Sequence, residues 1–162
     1  MLHRGERLRA EAWGEPIAKS GMDAGDRKAR RQAQEASGWP LGMRHEAISL
    51  ALVQHLRADY PEVFSGCDPE LVEHLVCSHH GWGRPLLPPV GDPRPEPVIA
   101  ALPDGPGTLT AVSDECLLDW DGPDRFERLG ARYGWWGLAL LESIVRLADM
   151  ACSEGYERRG SQ

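Results

Sequence analysis

The chain has 162 residues, of which 41% are hydrophobic, and its formal net charge is −7. This length predicts one domain that can bury a core. No run of about 18 apolar residues occurs, which argues against a membrane partner, and the acidic balance argues against binding nucleic acid through net charge alone. The first residues lack the apolar stretch of a signal peptide, so we expect a cytoplasmic protein.

Charge is distributed unevenly along the chain. Residues 61–124 carry two Lys/Arg against twelve Asp/Glu, whereas the segments on either side are close to neutral. The basic cluster at residues 27–31 is typical of a solvated helix face. The sequence leaves open what the acidic segment 61–124 contacts.

The four cysteines contain no CxxC pair, which argues against a zinc knuckle. Three of them lie in or beside helical patterns, and we expect all four to be small buried residues in a reducing compartment rather than a disulfide framework. They are Cys67, Cys77, Cys116 and Cys152.

The first confident helix covers residues 44–59. Residues 1–26 show no sustained period and are predicted to be mostly loop, and 27–36 are a polar helix candidate. Within 44–59, an apolar stripe recurs at helical spacing, with His45 one turn before it on the side that faces the core. His55 is predicted to lie at the surface.

A second helix is predicted over residues 69–80. Asp68 followed by proline is a typical N-terminal cap, and Gly81 and Gly83 stop the helix. His79 falls four residues after Leu75 and continues the apolar stripe. The adjacent His79 and His80 are therefore expected at the C-terminal edge of this helix, where a site can open.

A long Pro-rich segment at 81–107 follows and is not helical. A loop of this length in a small domain is usually functional or mobile. An extended piece at 97–102 and a short strand at 108–112 predict at most a small hairpin.

The longest helical pattern covers residues 125–153. Asp149 falls on its apolar face, and a buried carboxylate needs a partner or a metal. A structural salt bridge is an equally good interpretation of Asp149. Gly134 and its neighbouring glycines indicate close helix contacts or a break, and Gly155 is expected to end the helix.

Three histidines and one carboxylate remain as candidates for a site: His45, His79, His80 and Asp149. Imidazoles with a carboxylate suit a divalent transition metal such as Mn, Fe, Co, Ni or Zn. His74 shares the polar face of its helix and is predicted to be exposed. Nucleotide-binding loops and the serine elbow of acyl hydrolases are absent, so the candidate chemistry is metal-dependent hydrolysis.

Three segments in order resemble the later motifs of the HD-type nuclease domain of type I CRISPR interference. They are 44–49 (RHEAIS), 79–85 (HHGWGRP) and 147–152 (LADMAC). The resemblance covers residues 1–155, with 156–162 as a tail, and implies an all-α, HD-domain-like helical bundle. Members of the family cut single-stranded DNA with divalent metals and are often fused to a helicase.

The resemblance also implies roles for the four candidates. His45, His79 and His80 would bind one metal of the catalytic centre, and Asp149 would bind the other. The family has, in addition, an earlier His-Asp dipeptide followed by a lysine, and that aspartate bridges the two metals. No His-Asp dipeptide occurs in this chain.

We therefore expect the later part of the domain, a partial bundle with one metal site at most. Its partners would be single-stranded DNA and a separate chain that carries the His-Asp helices, or a helicase. Two alternatives stay open: an inactive module kept as an interaction partner, and an HD-type nucleotide phosphohydrolase. The second would need a phosphate pocket, for which the basic residues are Arg44, Arg84 and Arg146.

Overall fold

The structure, a computed structural model, is mainly helical with one small antiparallel sheet. The structure describes residues 2–4, 40, 42–101, 107–116 and 119–160, with side chains described for 40, 42–100, 107–114 and 119–152. The polar helix expected over residues 27–36 therefore lies outside the described residues.

Helix α1, His45–Asp59, confirms the first predicted helix to within one residue. One side of α1 packs on the sheet through Ile48, Ala51 and Leu52. Leu50, on another side, packs against Cys77 of the next helix. Because both sides are buried, α1 lies between the sheet and the other helices and fixes the position of its first residue.

The sheet has the order β1-β2-β3, from Leu2–Arg4, Pro97–Ala101 and Thr108–Val112. Strands β2 and β3 pair antiparallel with Val98 opposite Ala111, which confirms the predicted hairpin. Strand β1 was not predicted, because three residues are too few to show an alternating pattern. The expectation of loop and helix alone near the start of the chain was wrong at that point.

Helix α2, Pro69–Ser78, follows a 3₁₀ turn at Pro61–Phe64. Asp68 caps it as predicted, since its Oδ1 accepts hydrogen bonds from the backbone N–H of Glu70 at 3.1 Å and of Leu71 at 3.4 Å. The helix ends two residues earlier than expected, so that the two adjacent histidines follow it in a turn.

The predicted helix over 125–153 is two helices, α3 at Gly122–Tyr133 and α4 at Trp135–Gly160. Gly134 separates them with φ 72° and ψ 149°, a conformation that L side chains rarely adopt. Gly155 does not end α4, because a glycine inside a helix costs only about 1 kcal/mol relative to alanine.

Arginines of α3 meet the acidic segment 61–124. Arg128 Nε donates a hydrogen bond to Glu70 Oε1 at 2.9 Å. Arg132 pairs with Asp68 at 2.5 Å, and the buried Arg125 pairs with Asp119. Much of the acidic excess is therefore matched within the chain, on the side where α3 packs against α2.

Two of the four cysteines depart from the prediction of burial, and the side chain of Cys116 lies outside the described residues. Cys77 is buried in the core, but Cys67 and Cys152 are exposed, and all three are free thiols. Cys67 lies in the turn before α2, and Cys152 lies on an exposed part of α4, so helical pattern alone did not indicate burial. Across the described part of the chain, no helix combines the length and apolar character needed to cross a membrane.

Candidate metal centre

Three imidazoles converge where α1 begins and α2 ends. The Nε2 atom of His45 lies 3.2 Å from Nε2 of His79 and 3.1 Å from Nε2 of His80. One candidate ligand nitrogen from each residue lies within 4.8 Å of the others. The predicted convergence of these three residues is therefore confirmed.

Local backbone geometry produces this convergence. His45 is the first residue of α1, and His79 is the C-terminal cap of α2 with φ −59° and ψ −22°. The chain then reverses at Gly81, whose φ of 84° strongly favours glycine. Because α2 ends at Ser78, His80 lies in a turn rather than on the helix, and its ring meets that of His45.

In His79 and His45 the second ring nitrogen faces an oxygen acceptor. Nδ1 of His79 lies 2.7 Å from the carbonyl oxygen of Val76, so a proton there can be donated to that oxygen. Nδ1 of His45 lies 3.4 Å from Glu46 Oε2, and this carboxylate likewise favours a proton on Nδ1. These acceptors favour the tautomers in which Nε2 keeps its lone pair, and the arrangement is typical of metal-binding histidines.

The protonation state of the cluster suits metal binding. Burial lowers the pKa of His45 and of His80, and neighbouring histidines lower both further. Both rings therefore stay neutral at pH 7, and the neutral imidazole is the form that binds a metal. Burial opposes ionisation of Glu46, but hydrogen bonding to Arg44 leads to a lowered pKa for that carboxyl.

The three imidazoles could hold one divalent transition metal. Metal–nitrogen bonds of about 2.0–2.1 Å with tetrahedral angles place ligand nitrogens roughly 3.3 Å apart, close to the 3.1 and 3.2 Å seen around His45. The side chains of His45 and His80 are 39% and 38% exposed, so the site opens to solvent. An open position is what distinguishes catalytic from structural sites for such metals.

Asp149 lies beside the three histidines rather than among their converging nitrogens. Its Oδ2 is 3.9 Å from Nδ1 of His80, the ring nitrogen that does not enter the cluster. Asp149 is thus an electrostatic neighbour of His80, at a distance beyond that of a hydrogen bond. Its predicted role as a ligand of a second metal stays a prediction.

The expectation that His74 is exposed was wrong. His74 is 1% exposed, and its Nε2 lies 2.6 Å from Oε1 of the buried Glu142. Burial lowers its pKa, while the hydrogen bond to Glu142 acts in the opposite direction. The reason for the error is that α4 covers this side of α2, and Glu142 lies 68 residues away along the chain.

The contacts that join Arg44, Glu46 and Trp82 beside the centre were not predicted from the sequence. Glu46 is buried and receives hydrogen bonds from Arg44 at 3.1 and 2.7 Å. The same Arg44 guanidinium lies 4.9 Å from the centroid of the Trp82 ring. A signal was available for Glu46 only, since a carboxylate directly after His45 can orient its ring.

Comparisons with protein-family models, with curated proteins and with solved structures find no match for this chain.

Proposed function

We propose that this chain is the metal-binding part of an HD-type nuclease, with a partial HD-domain-like helical bundle. Its substrate would be single-stranded DNA, and its metal ligands would be His45, His79 and His80. The observation that carries the proposal is the convergence of their Nε2 atoms at 3.1 and 3.2 Å around His45. These residues lie in the segments that resemble the family.

The chain's own residues would hold and orient the reacting groups. A divalent metal in this site would act as a Lewis acid toward a phosphodiester oxygen and would lower the pKa of a water molecule. Val76 and Glu46 would keep the rings of His79 and His45 in the ligating tautomer. Asp149, 3.9 Å from His80 Nδ1, would favour a positive charge nearby.

A second metal would need help from another polypeptide. Two-metal hydrolysis places cations about 3.5–4 Å apart, which requires negative charge between them. The three imidazoles are neutral ligands, and no His-Asp dipeptide occurs in the sequence. We therefore propose one metal equivalent for this chain and full activity only with a chain that supplies the His-Asp segment.

The alternative of a nucleotide phosphohydrolase has less support. Two of the three arginines that a phosphate pocket would use are already paired: Arg44 with Glu46, and Arg84 with the buried Glu142. In both cases a phosphate ligand would have to share the guanidinium with a carboxylate that already offsets its charge. An inactive interaction module would share the fold, and activity measurements separate it from the nuclease.

The test combines metal analysis with a nicking assay on circular single-stranded DNA. We expect one equivalent of Co²⁺, Mn²⁺ or Ni²⁺ to bind, little cutting by the chain alone, and cutting when a His-Asp chain is added. His79→Ala and His80→Ala should each abolish that cutting, whereas His55→Gln serves as a control histidine variant.

Three results would contradict parts of this proposal. Two tight metal equivalents would remove the argument for a single site. Strong cutting by the chain alone, lost in His80→Ala, would indicate a one-metal mechanism. No metal binding, together with no cutting in the presence of the partner chain, would leave the interaction module as the better function.

A further inference from the structure

Trp82 is exposed at the rim of the histidine cluster. It follows His80 by two residues, and 53% of its surface is accessible to solvent. Trp120, Trp135 and Trp136 are more exposed, so exposure alone does not single out Trp82. Its position two residues after His80 places an indole where it can contact a ligand at the candidate metal site.

The indole is supported from one side. The Arg44 guanidinium lies 4.9 Å from the ring centroid, in a cation–π contact. Buried Glu46 holds that guanidinium through two hydrogen bonds. Because Arg44 lies over one face of Trp82, an aromatic ligand that stacks on the indole would use the other face.

Arg146 adds a positive charge beside the same turn. It comes from α4 and is exposed, and its Nη1 atom lies 2.7 Å from the position that a Cβ on Gly81 would occupy. The missing side chain of Gly81 therefore lets this guanidinium approach the link between His80 and Trp82. Within the described ranges, no carboxylate lies within ion-pair distance of Arg146.

We propose that Trp82 and Arg146 form a binding edge for single-stranded nucleic acid, which rests on the proposed function and extends it. A nucleobase would stack on the open face of Trp82, and Arg146 would contact an adjacent phosphate. The next phosphodiester would then lie toward His45, His79 and His80. Since the chain carries a net charge of −7, stacking must supply affinity that charge does not.

The test measures binding of labelled oligo(dT), oligo(U) and an abasic deoxyribose-phosphate oligomer of equal length by fluorescence anisotropy at low salt. Trp82→Ala should weaken oligonucleotide binding by about 5- to 150-fold, the value of one stacked base. It should leave binding of the abasic oligomer unchanged, and Trp82→Phe should restore most of the loss. Arg146→Ala should weaken all three ligands.

Trp120→Ala is the matched control, because Trp120 is 84% exposed in the turn before α3. Equal losses in Trp82→Ala and Trp120→Ala, equal binding of abasic and base-bearing oligomers, or no oligonucleotide binding by the wild type would overturn the proposal. Tighter binding of oligo(dT) than of oligo(U), or the reverse, supports it and shows which of the two polymers the edge prefers.

Co²⁺ titration of the same variants separates this proposal from the proposed function. Trp82→Ala should keep the wild-type Co²⁺ spectrum, because the indole is not a ligand. If Co²⁺ fails to bind while Trp82 still discriminates bases from abasic sites, the metal-dependent function fails and the binding edge stands. If Co²⁺ binds while that discrimination is absent, the binding edge fails and the metal-dependent function stands.

Discussion

Helix α2 presents two histidines five residues apart in very different surroundings. His74 is enclosed, and its Nε2 lies 2.6 Å from the Glu142 carboxylate. His79, at the end of the helix, has its Nε2 3.2 Å from another imidazole nitrogen. The comparison teaches that the partner of Nε2, rather than helix position, separates a structural histidine from a candidate ligand.

The same helix, α4, supplies a carboxylate to both regions. Glu142 faces Nε2 of His74, and Asp149, seven residues later, faces Nδ1 of His80. Seven residues are about two helical turns, so both carboxylates lie on one side of α4. The nitrogen that each carboxylate faces decides whether Nε2 is used up or left for a ligand.

The largest expected effect is on stability in the enclosed region. His74→Ala should lower the free energy of unfolding by about 2–5 kcal/mol, because it leaves a cavity and removes a buried hydrogen bond to Glu142. Urea denaturation measures the loss, and His55→Ala is the control. A loss below about 1 kcal/mol would show that the His74–Glu142 pair is not structural. Co²⁺ affinity of the folded variant should be unchanged.

The histidine cluster should show the opposite pattern, with its main effect on metal affinity. His79→Ala removes a proposed ligand and should lower Co²⁺ affinity strongly. Losing a residue that only orients a ligand typically lowers metal affinity by about 10- to 100-fold, and we expect a larger loss here. Calorimetric titration measures the affinity, with His74→Gln as the matched variant on the same helix. Equal Co²⁺ affinities in the two variants would contradict the assignment of His79 as a ligand and His74 as a structural residue.

Asp149→Asn should give a smaller effect. The carboxylate lies 3.9 Å from His80 Nδ1 and is partly exposed, so we expect about a tenfold loss of Co²⁺ affinity, at the low end for an orienting residue. Asp124→Asn, at an exposed position of α3, controls for loss of negative charge. A loss as large as that of His79→Ala would make Asp149 a direct ligand.

The smallest effect concerns pH. Burial lowers the folded-state pKa of His74, against opposition from Glu142, and Arg125 and Arg84 lower it further. The unfolded chain therefore binds the proton first, so this stability is present above the unfolded pKa and is lost as pH falls through the folded value. The change is at most about 1.4 kcal/mol per pH unit.

Urea unfolding between pH 7.5 and 5.5 measures the contribution of His74 to the pH dependence of stability. His74→Gln should show a shallower fall of stability with decreasing pH than the wild type, since glutamine does not titrate. Parallel curves for the two proteins would mean that His74 keeps its ordinary pKa in the folded chain.

Sequence patterns predicted the features that depend on short-range periodicity. The apolar stripe of α1, the cap at Asp68 and the helix stop at Gly81 were predicted in this way. The apolar stripes beside His45 and His79 indicated that these residues converge. The environment of His74 was not predictable in this way, because it depends on Glu142, a residue 68 positions away. The break at Gly134 was indicated by glycine spacing, whereas the short strand β1 depends on pairing with β2.

A metal held by His45 and His79 would join residues 34 positions apart along the chain. It would act as a removable cross-link that closes a loop through α1 and α2, much as a disulfide does, and would restrict the unfolded chain. Because α1 also packs on the sheet through Ile48 and Leu52, that closure would reach β2 and β3. Chelators would then loosen a hairpin that contributes no ligand, and amide exchange in the strands would report occupancy of the centre.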